Sequence, residues 1–294
     1  MKATGKLKTD PKAEIYALSA VLLWSTVATA FKIALKTLTY EELLFYSLPA
    51  SIGAIALILT KQKMWKNVFI SDVFYKSLIF GFFNPFLYYL VLFKAYEILP
   101  AQKAQPLNYT WAVVLVILSS FILKQKLKLK DITSVIISFS GAAIIVTGGS
   151  FSAFMADEIP GVLLALGSAF IWASYWLFTK KDKTEASVKL FGSFAAGLFY
   201  ITVYMMFKNS FQPRSFIEIV PALYVGLFEM GITFFLWSRA LHLAENTAKI
   251  GNLIYLSPFL SFIFINLILK ESIRLSSVAG LLLITAGILM GRKG

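Results

Sequence analysis

Ten apolar stretches, each long enough to cross a lipid bilayer, follow one another along this 294-residue chain, with only short polar connections between them. A bilayer core requires about 20 apolar residues per helix. Because lipid offers the backbone no hydrogen-bond partner, each stretch is expected to be a helix. The sequence therefore predicts an all-α integral membrane protein with ten transmembrane helices. The predicted spans are 15–36, 42–60, 74–97, 104–123, 131–149, 159–180, 187–207, 219–241, 248–269 and 275–291.

The composition agrees with this fold class and narrows the chemistry. Hydrophobic residues make up 58% of the chain and charged residues 15%, whereas soluble domains are about 45–50% apolar. The net charge of +13 is carried by short basic runs between the apolar stretches, which is typical of membrane topology rather than of nucleic-acid binding. With no cysteine and one histidine, His242, no metal site and no cofactor are expected. The expected partners are the lipid bilayer and a small-molecule substrate, without nucleic acid or a required oligomer.

The distribution of Lys and Arg predicts the orientation. If the N-terminus is cytoplasmic, 20 of the 28 Lys and Arg residues fall in cytoplasmic segments and eight fall outside. Cytoplasmic segments carry such an excess in membrane proteins. An even number of spans also requires the two termini to share a side. We therefore expect a protein of the cytoplasmic membrane with both termini in the cytoplasm, preceded by a polar cytoplasmic lead at residues 1–14.

One span of the first half is repeated in the second half. The segment GFFNPFLYYLVLFKAY at 81–96 aligns with GLFEMGITFFLWSRAL at 226–241. In this alignment Asn84 falls on Glu229, so each copy carries one polar side chain near the middle of an apolar span. Polar groups at membrane depth are costly, and they are functional-site candidates for that reason.

The repeat extends over the whole chain. LNYTW at 107–111 aligns with IYLSP at 254–258. The two repeats are predicted at 15–149 and 159–294, with five spans each. Because five is odd, the second repeat is inverted relative to the first. Paired inverted repeats are a recurring plan of secondary transporters, whose site lies near the bilayer midplane between the repeats. A duplicated membrane protein that transports nothing is the alternative.

Glu229 is the carboxylate that the sequence places near the middle of a span. It is the candidate for proton coupling, because a carboxyl group can take up a proton on one side and release it on the other. It can equally pair with an ammonium group of a substrate. The alternative is a structural partner for a nearby cation or Tyr hydroxyl.

Breaks in the apolar spans locate the rest of the predicted site. Proline removes one backbone hydrogen bond from a helix, and the candidate hinge residues are Pro85, Pro106 and Pro258. Broken spans at related places in two halves indicate a transporter's binding site. Packing inside the protein is the alternative role for any single aromatic residue there. The predicted substrate-binding residues are Trp24, Asn84, Tyr88, Asn108, Trp172, Tyr175, Glu229, Asn252 and Tyr255.

Several short motifs have counterparts in a known family. They are LWS at 23–25, FIWA at 170–173, LSP at 256–258, LKE at 269–271 and the glycine-bearing segment 280–287. With these motifs the chain resembles the EamA-type ten-helix transporters of the drug/metabolite transporter superfamily. The resemblance implies two inverted five-helix repeats and export of small metabolites. The first half departs from the family pattern, with Trp111 in place of a proline and Gln125 in place of a glutamate.

These observations predict a secondary transporter that moves a small organic metabolite across the cytoplasmic membrane by alternating access, as an exporter or a facilitator. The candidate cargoes are amino acids, aromatic metabolites, nucleosides and drug-like compounds. The absence of a G-x-x-x-x-G-K-[ST] loop argues against ATP as the energy source. A non-transporting scaffold or sensor and an intramembrane lipid-acting enzyme are the alternatives. Such an enzyme needs a pair of titratable groups, so no enzymatic activity is expected.

Overall fold

The computed structural model describes residues 11–122, 128–150, 156–179, 182–244 and 247–292. Within these ranges the secondary structure is helical, without strands. The apolar spans are α1 (Pro11–Ala34), α2 (Tyr40–Gln62), α3 (Ser71–Ile98), α4 (Ala101–Ile122), α5 (Leu129–Thr147), α6 (Ile159–Thr179), α7 (Ala186–Lys208), α8 (Phe216–Leu243), α9 (Lys249–Leu269) and α10 (Leu275–Arg292). In the described part of the chain, α1 to α9 have the length and apolarity to cross a membrane, and α10 contains a shorter apolar segment, Leu275–Gly291.

The predicted span boundaries differ from the helix boundaries by no more than four residues. The largest difference is at α1, which begins at Pro11, inside the predicted polar lead. Residues 1–10 of that lead lie outside the described residues, as does Gln125. Two short helical segments, Trp65–Val68 and Ala156–Glu158, complete the described secondary structure between the spans.

The helix α3 is interrupted in its middle. It consists of Ser71–Gly81, a wider π-helical turn at Phe82–Leu87, and Tyr88–Ile98. The interruption is at Asn84, whose backbone is extended with φ −145° and ψ 114°, directly before Pro85. Since proline donates no backbone hydrogen bond, the regular helical ladder cannot continue through this point.

The helix α8 has the same construction in the second half. It consists of Phe216–Val225, a π-helical turn at Gly226–Gly231, and Ile232–Leu243. Both α3 and α8 are 28 residues long. Asn84 and Glu229 are each the fourteenth residue of their span, which places the two polar side chains at matched depth. Irregular backbone at membrane depth is tolerated where it lines a cavity or is buried in protein.

The helices α4 and α9 are also composite. A turn at Thr110 divides α4 into Ala101–Tyr109, which contains Pro106, and Trp111–Ile122. In α9, Pro258 lies at the start of a helical segment, where proline is well tolerated. The segments of α9 are Thr247–Asn252, whose first two residues precede the apolar span, the 3₁₀ turn Leu253–Leu256, Ser257–Phe264 and the π-helical turn Ile265–Leu269.

Glycines allow the two halves to interlock. A β-carbon at Gly81 of α3 would overlap the carbonyl oxygen of Ser193 in α7, and one at Gly226 of α8 would overlap that of Ser47 in α2. The second helix of each half therefore packs closely on the third helix of the other half. Close approach through small residues is how membrane helices pack.

The last helices of the two halves form a second interlocked pair. Gly141 of α5 lies against the backbone of Gly280 in α10, and the hydroxyl of Ser134 donates to the carbonyl oxygen of Gly287 at 2.6 Å. The protein is thus an all-α integral membrane protein of two five-helix repeats, α1–α5 and α6–α10. Because each repeat has an odd number of helices, the second is inverted relative to the first.

Candidate functional site

A cavity of about 590 Å³ lies between the two repeats. Side chains from both halves line it, including Asn84 of α3 and Glu229 of α8 at mid-span. Small-molecule sites are typically clefts of roughly 300–1,000 Å³ with mostly apolar walls and a few polar groups. The cavity therefore has the size and construction of a site for a small organic molecule.

Glu229 is held by aromatic residues of the first half. The hydroxyl of Tyr89 donates to Glu229 Oε1 at 3.1 Å, and the indole N–H of Trp24 lies 3.3 Å from the Glu229 backbone oxygen. Glu229 is the one carboxylate among the described cavity residues, and Lys189 is the one cation. Glu229 belongs to none of the ion pairs between described residues.

Five aromatic side chains form a continuous series of contacts that begins and ends at Glu229, and we call this series the aromatic belt. Its members, in order of contact, are Trp24, Phe234, Trp172, Tyr88 and Tyr89. The ring centroids of consecutive members are 4.6 to 6.1 Å apart. Because the first and last members both hydrogen-bond to Glu229, the belt closes on that residue. All members except Tyr89 also line the cavity.

A chain of hydrogen bonds holds Tyr88, which is a member of the aromatic belt. Tyr88 donates through its hydroxyl to Asn108 Oδ1 at 3.3 Å, and Asn108 Nδ2 donates to the hydroxyl of Ser168 at 2.9 Å. The ring of Trp172 stacks on Tyr88 with an interplanar angle of 30°, and Tyr175 continues the stack. Residues of α3, α4 and α6 are thereby positioned as one rigid wall.

Two buried amides at the wall have unused acceptors. Asn84 Oδ1 and Gln105 Oε1 have no hydrogen-bond partner among the described residues. Asn84 is 1% exposed and Gln105 5% exposed, and both line the cavity. An unsatisfied buried acceptor costs free energy, so each is a position where a ligand donor would be stabilising.

The cavity is closed at one end of the molecule and open at the other. At the end of α1 and α3, its lining residues Phe31, Leu92 and Tyr96 are buried. At the end where α6 finishes and α7 begins, Trp176 is 41% exposed and Lys189 is partly exposed. Among the described lining residues, the exposed positions therefore lie at the α6–α7 end.

Ion pairs between the repeats hold the closed end. The guanidinium of Arg214 binds the carboxylate of Glu42 through two hydrogen bonds of 2.8 and 2.7 Å, and Lys208 bonds to Glu41 at 2.6 Å. Both carboxylates are on the first turn of α2, whereas Lys208 is the last residue of α7 and Arg214 lies between α7 and α8. Two-point Arg–carboxylate pairing is directional and strong, so these pairs stabilise the closed arrangement.

The open end carries its own charged cluster. The ammonium of Lys189 lies 3.0 Å from Asp182 Oδ2, and Lys76 lies 3.4 Å from Asp182 Oδ1. Burial alone would raise the pKa of Asp182, but hydrogen bonds from Lys189 and Thr184 hold the pKa below its usual value. The cation at the mouth of the cavity is therefore already neutralised by a stably ionised partner.

The model of the EamA-like transporter family matches residues 11–147 and, a second time, residues 159–291. The chain belongs to the EamA-like transporter family. The two matches correspond to the helices α1–α5 and α6–α10, so the two interlocked repeats are the two EamA-like units.

Transporters of other organisms align with most of the chain at low identity. The aromatic amino acid exporter YddG of Ancylobacter novellus is 23% identical over 252 residues, which are 85% of this chain and 86% of that protein. The uncharacterized transporter YvbV of Bacillus subtilis is 25% identical over 289 residues, 96% of this chain and 92% of that protein. A transporter of Acidianus ambivalens is 25% identical over 253 residues, covering 84% and 92%. These relatives show that the protein is a membrane transporter of small molecules.

A solved crystal structure has the same fold. It superposes with a TM-score of 0.66 at 20% sequence identity, and the match covers 95% of this chain and 96% of the other. At this identity the likeness establishes the architecture of the EamA-like protein and not its cargo.

Most residues that the sequence predicts for the site line the cavity. They are Trp24, Asn84, Tyr88, Asn108, Trp172, Tyr175 and Glu229. Asn252 and Tyr255 are not among the residues that line the cavity: Asn252 is exposed and Tyr255 is buried. The helical segment of α9 gives way to a 3₁₀ turn here, and Gly251 and Ile254 form the wall instead.

Tyr89, Gln105 and Phe234 are among the residues of the site that the sequence interpretation missed. Gln105 carried a usable signal, because it directly precedes Pro106 inside an otherwise apolar span. Tyr89 and Phe234 carried none, since each is one aromatic residue among 27 Phe and 13 Tyr. Their role depends on contacts between residues of opposite halves.

Proposed function

We propose that this EamA-like protein is a secondary transporter that carries a small organic molecule across the cytoplasmic membrane by alternating access, as an exporter or a facilitator. The observation that carries the proposal is the cavity between two inverted repeats, closed at one end and open at the other. Inverted repeats have two related packings, and each opens the shared site to one side.

The predicted orientation supports a cytoplasm-facing state. The excess of Lys and Arg favours cytoplasmic termini, and α6 then ends, and α7 then begins, on the cytoplasmic side. The open end of the cavity faces the cytoplasm in that orientation. The Glu42–Arg214 and Glu41–Lys208 pairs would be the contacts that break when the transporter opens to the outside.

The walls indicate a cargo with an apolar or aromatic body. The aromatic belt and Tyr175 supply flat apolar surface, and Asn84, Gln105 and Glu229 supply a few polar contacts. The relative YddG is an aromatic amino acid exporter, which agrees with a belt suited to aromatic rings. Glu229 is also the candidate for coupling transport to a proton gradient.

Flux measurement in liposomes tests the proposal. Purified protein is reconstituted, and uptake of radiolabelled aromatic amines, aromatic amino acids and nucleosides is compared with that of protein-free liposomes. We expect saturable uptake of at least one class, and faster exchange when the same solute is present inside. The absence of saturable flux for all classes would contradict transport, and chemical conversion of lipid would favour the enzyme alternative.

A further inference from the structure

We propose that the cavity selects an organic monocation, with the charged nitrogen against Glu229 inside the aromatic belt and an apolar or aromatic body along the wall. This deepens the proposed transport function and rests on it for the direction of physiological movement. It differs from recognition of an amino acid, because it assigns no place in the cavity to a substrate carboxylate.

The charge inside the cavity is the first argument. Glu229 accepts one hydrogen bond, from Tyr89, and makes no ion pair with any described residue. An isolated carboxylate in a low-dielectric site is stabilised by a cation that displaces water. A ligand with a positive nitrogen supplies that partner, whereas a neutral ligand leaves the carboxylate unpaired and an anionic ligand repels it.

The position of the cavity's one cation argues against a zwitterion. Lys189 lies in the first turn of α7 and is already paired with Asp182 at 3.0 Å. Glu229 is 14 residues from the end of α8 on the same side. With a rise of 1.5 Å per residue, these 14 residues span about 21 Å, and the three residues from Ala186 to Lys189 span about 5 Å, so Glu229 is roughly 16 Å deeper than Lys189 along the helices. An α-amino acid carries its ammonium and carboxylate on one carbon, so it cannot reach both.

The amide oxygens of Asn84 and Gln105 that have no hydrogen-bond donor also favour a ligand with N–H groups. Asn84 is at the depth of Glu229, because both are the fourteenth residue of matched 28-residue spans. Asn84 Oδ1 is buried without a donor, and so is Gln105 Oε1 farther along the wall. These oxygens are satisfied by N–H groups of a ligand and not by a carboxylate oxygen.

The belt supplies the remaining attraction. A cation within about 6 Å of an aromatic face is stabilised by the ring quadrupole, and aromatic cages bind ammonium groups by this means. Four rings of the belt line the same cavity as Glu229, and two of them are indoles. Carboxylate and rings together favour a positive nitrogen over any neutral group of the same shape.

Four indoles that differ in charge test the inference. Tryptamine is a cation, tryptophol is neutral, tryptophan is a zwitterion and indole-3-acetate is an anion at pH 7. Their binding to the purified full-length protein in detergent is measured by isothermal titration calorimetry. We expect tryptamine to bind at least tenfold more tightly than tryptophol, and the other two to bind more weakly than tryptophol.

Two matched variants assign the selectivity to Glu229. In Glu229→Gln, tryptamine should lose its advantage and bind like tryptophol, whereas Glu218→Gln, an identical exchange near the start of the same span, should keep the advantage. Gln can replace Glu218 in the Ser215 capping box. If Glu229→Gln does not elute as a monodisperse protein, Glu229→Asp, which keeps the charge, should retain a preference for tryptamine.

The inference is overturned if tryptamine does not bind, if tryptophan or indole-3-acetate binds as tightly as tryptamine, or if Glu229→Gln keeps the full preference. Flux separates this result from the proposed function. Saturable transport without a preference for cations would support the proposed transport function and contradict the proposed monocation site. Selective binding of tryptamine without flux in liposomes would keep the site and contradict transport.

Discussion

Glu229 combines two requirements that are difficult to meet together in a membrane: it is polar at mid-span, and it is reachable from water. The π-helical turn at Gly226–Gly231 opens the backbone where Glu229 lies, and Tyr89 and Trp24 hydrogen-bond to it from the other half. Charged residues within membrane spans generally face a cavity or a partner. This residue has the cavity and, in the described structure, no cationic partner.

A neutral side chain at position 229 should abolish transport or uncouple it from the proton gradient. In Glu229→Gln the amide keeps the shape of the carboxyl group but can neither carry a proton nor attract a cation. We expect flux in liposomes to fall at least tenfold, or to lose its dependence on an imposed pH gradient, while the amount of protein in the membrane is unchanged. Wild-type flux with an unaltered response to the gradient would remove Glu229 from the mechanism.

A smaller effect is expected from the hydroxyl of Tyr89. Tyr89→Phe keeps the ring that contacts Tyr88 but removes the hydrogen bond to Glu229 Oε1. Because this bond orients the carboxylate, the Michaelis constant for transport should rise severalfold with little change in folding. Tyr75→Phe, an exposed tyrosine on the same span, is the matched control and should leave the constant unchanged.

At the scale of helices, the two repeats are joined by close contacts of α2 with α8 and of α3 with α7. Each contact is made by a glycine at the start of the interruption: Gly226 is the first residue of the π-helical turn in α8, and Gly81 directly precedes the one in α3. The broken segments are thereby anchored on the neighbouring half, which keeps Asn84 and Glu229 facing the cavity. The sequence repeat indicated that these glycines were equivalent, but not which helix each one touches.

Adding one methyl group at Gly226 tests the close contact between α8 and α2. In Gly226→Ala the new β-carbon would overlap the carbonyl oxygen of Ser47, which is backbone and cannot move aside easily. Overpacking of this kind costs about 1–3 kcal/mol, so the melting temperature in detergent should fall. Gly53→Ala in α2 has no atom within 4 Å of the new β-carbon, and it should be neutral or stabilising because alanine favours helix. Equal melting temperatures for both variants would contradict the packing.

At the scale of the whole molecule, the two ends differ in how they are sealed. The closed end has paired charges from both repeats, with Glu42 1% exposed beneath Arg214. In addition, the ammonium of Lys32 donates to the carbonyl oxygens of Tyr96 and Leu99 at 2.8 and 3.0 Å. These bonds cross-link the ends of α1 and α3 above the cavity.

Weakening this seal should shift the protein toward the state open at the other end. In the double variant Arg214→Ala with Lys208→Ala, the Glu42–Arg214 and Glu41–Lys208 ion pairs are lost. The natural chain has no cysteine, so a single Phe31→Cys reports on access to the closed end without background. We expect its rate of modification by a water-soluble maleimide to rise severalfold in the double variant. Lys249→Ala, which removes an exposed pair with Glu14, should leave the rate unchanged.

The inverted arrangement also predicts the sidedness of the loops. Lys61→Cys, near the end of α2, should react from the cytoplasmic side, and Gln212→Cys, between α7 and α8, from the outer side. Labelling of intact cells with a membrane-impermeant maleimide, before and after permeabilisation, distinguishes the two positions. Reaction of both from the same side would contradict the predicted topology.

The sequence alone determined the helical membrane fold, the two repeats and the matched mid-span positions of Asn84 and Glu229. These properties follow from the length of the apolar stretches, the odd number of spans in each repeat and the local backbone chemistry. All three can be recognised from residues that are close together in the chain. Most of the predicted binding residues could also be identified from the sequence, because polar groups and prolines are unusual inside apolar spans.

Only the tertiary structure decided which aromatic residues form the belt, which amide acceptors are unused and which end of the cavity is open. Tyr89 and Glu229 are 140 residues apart in the chain, and Trp24 and Glu229 are 205 apart. Such contacts depend on how two inverted bundles pack against each other. Pro258 marked α9 as an interrupted span, but it did not show that Gly251 and Ile254, rather than Asn252 and Tyr255, line the cavity. A one-dimensional pattern fixes depth along a helix, but the direction a side chain faces is set by its neighbours.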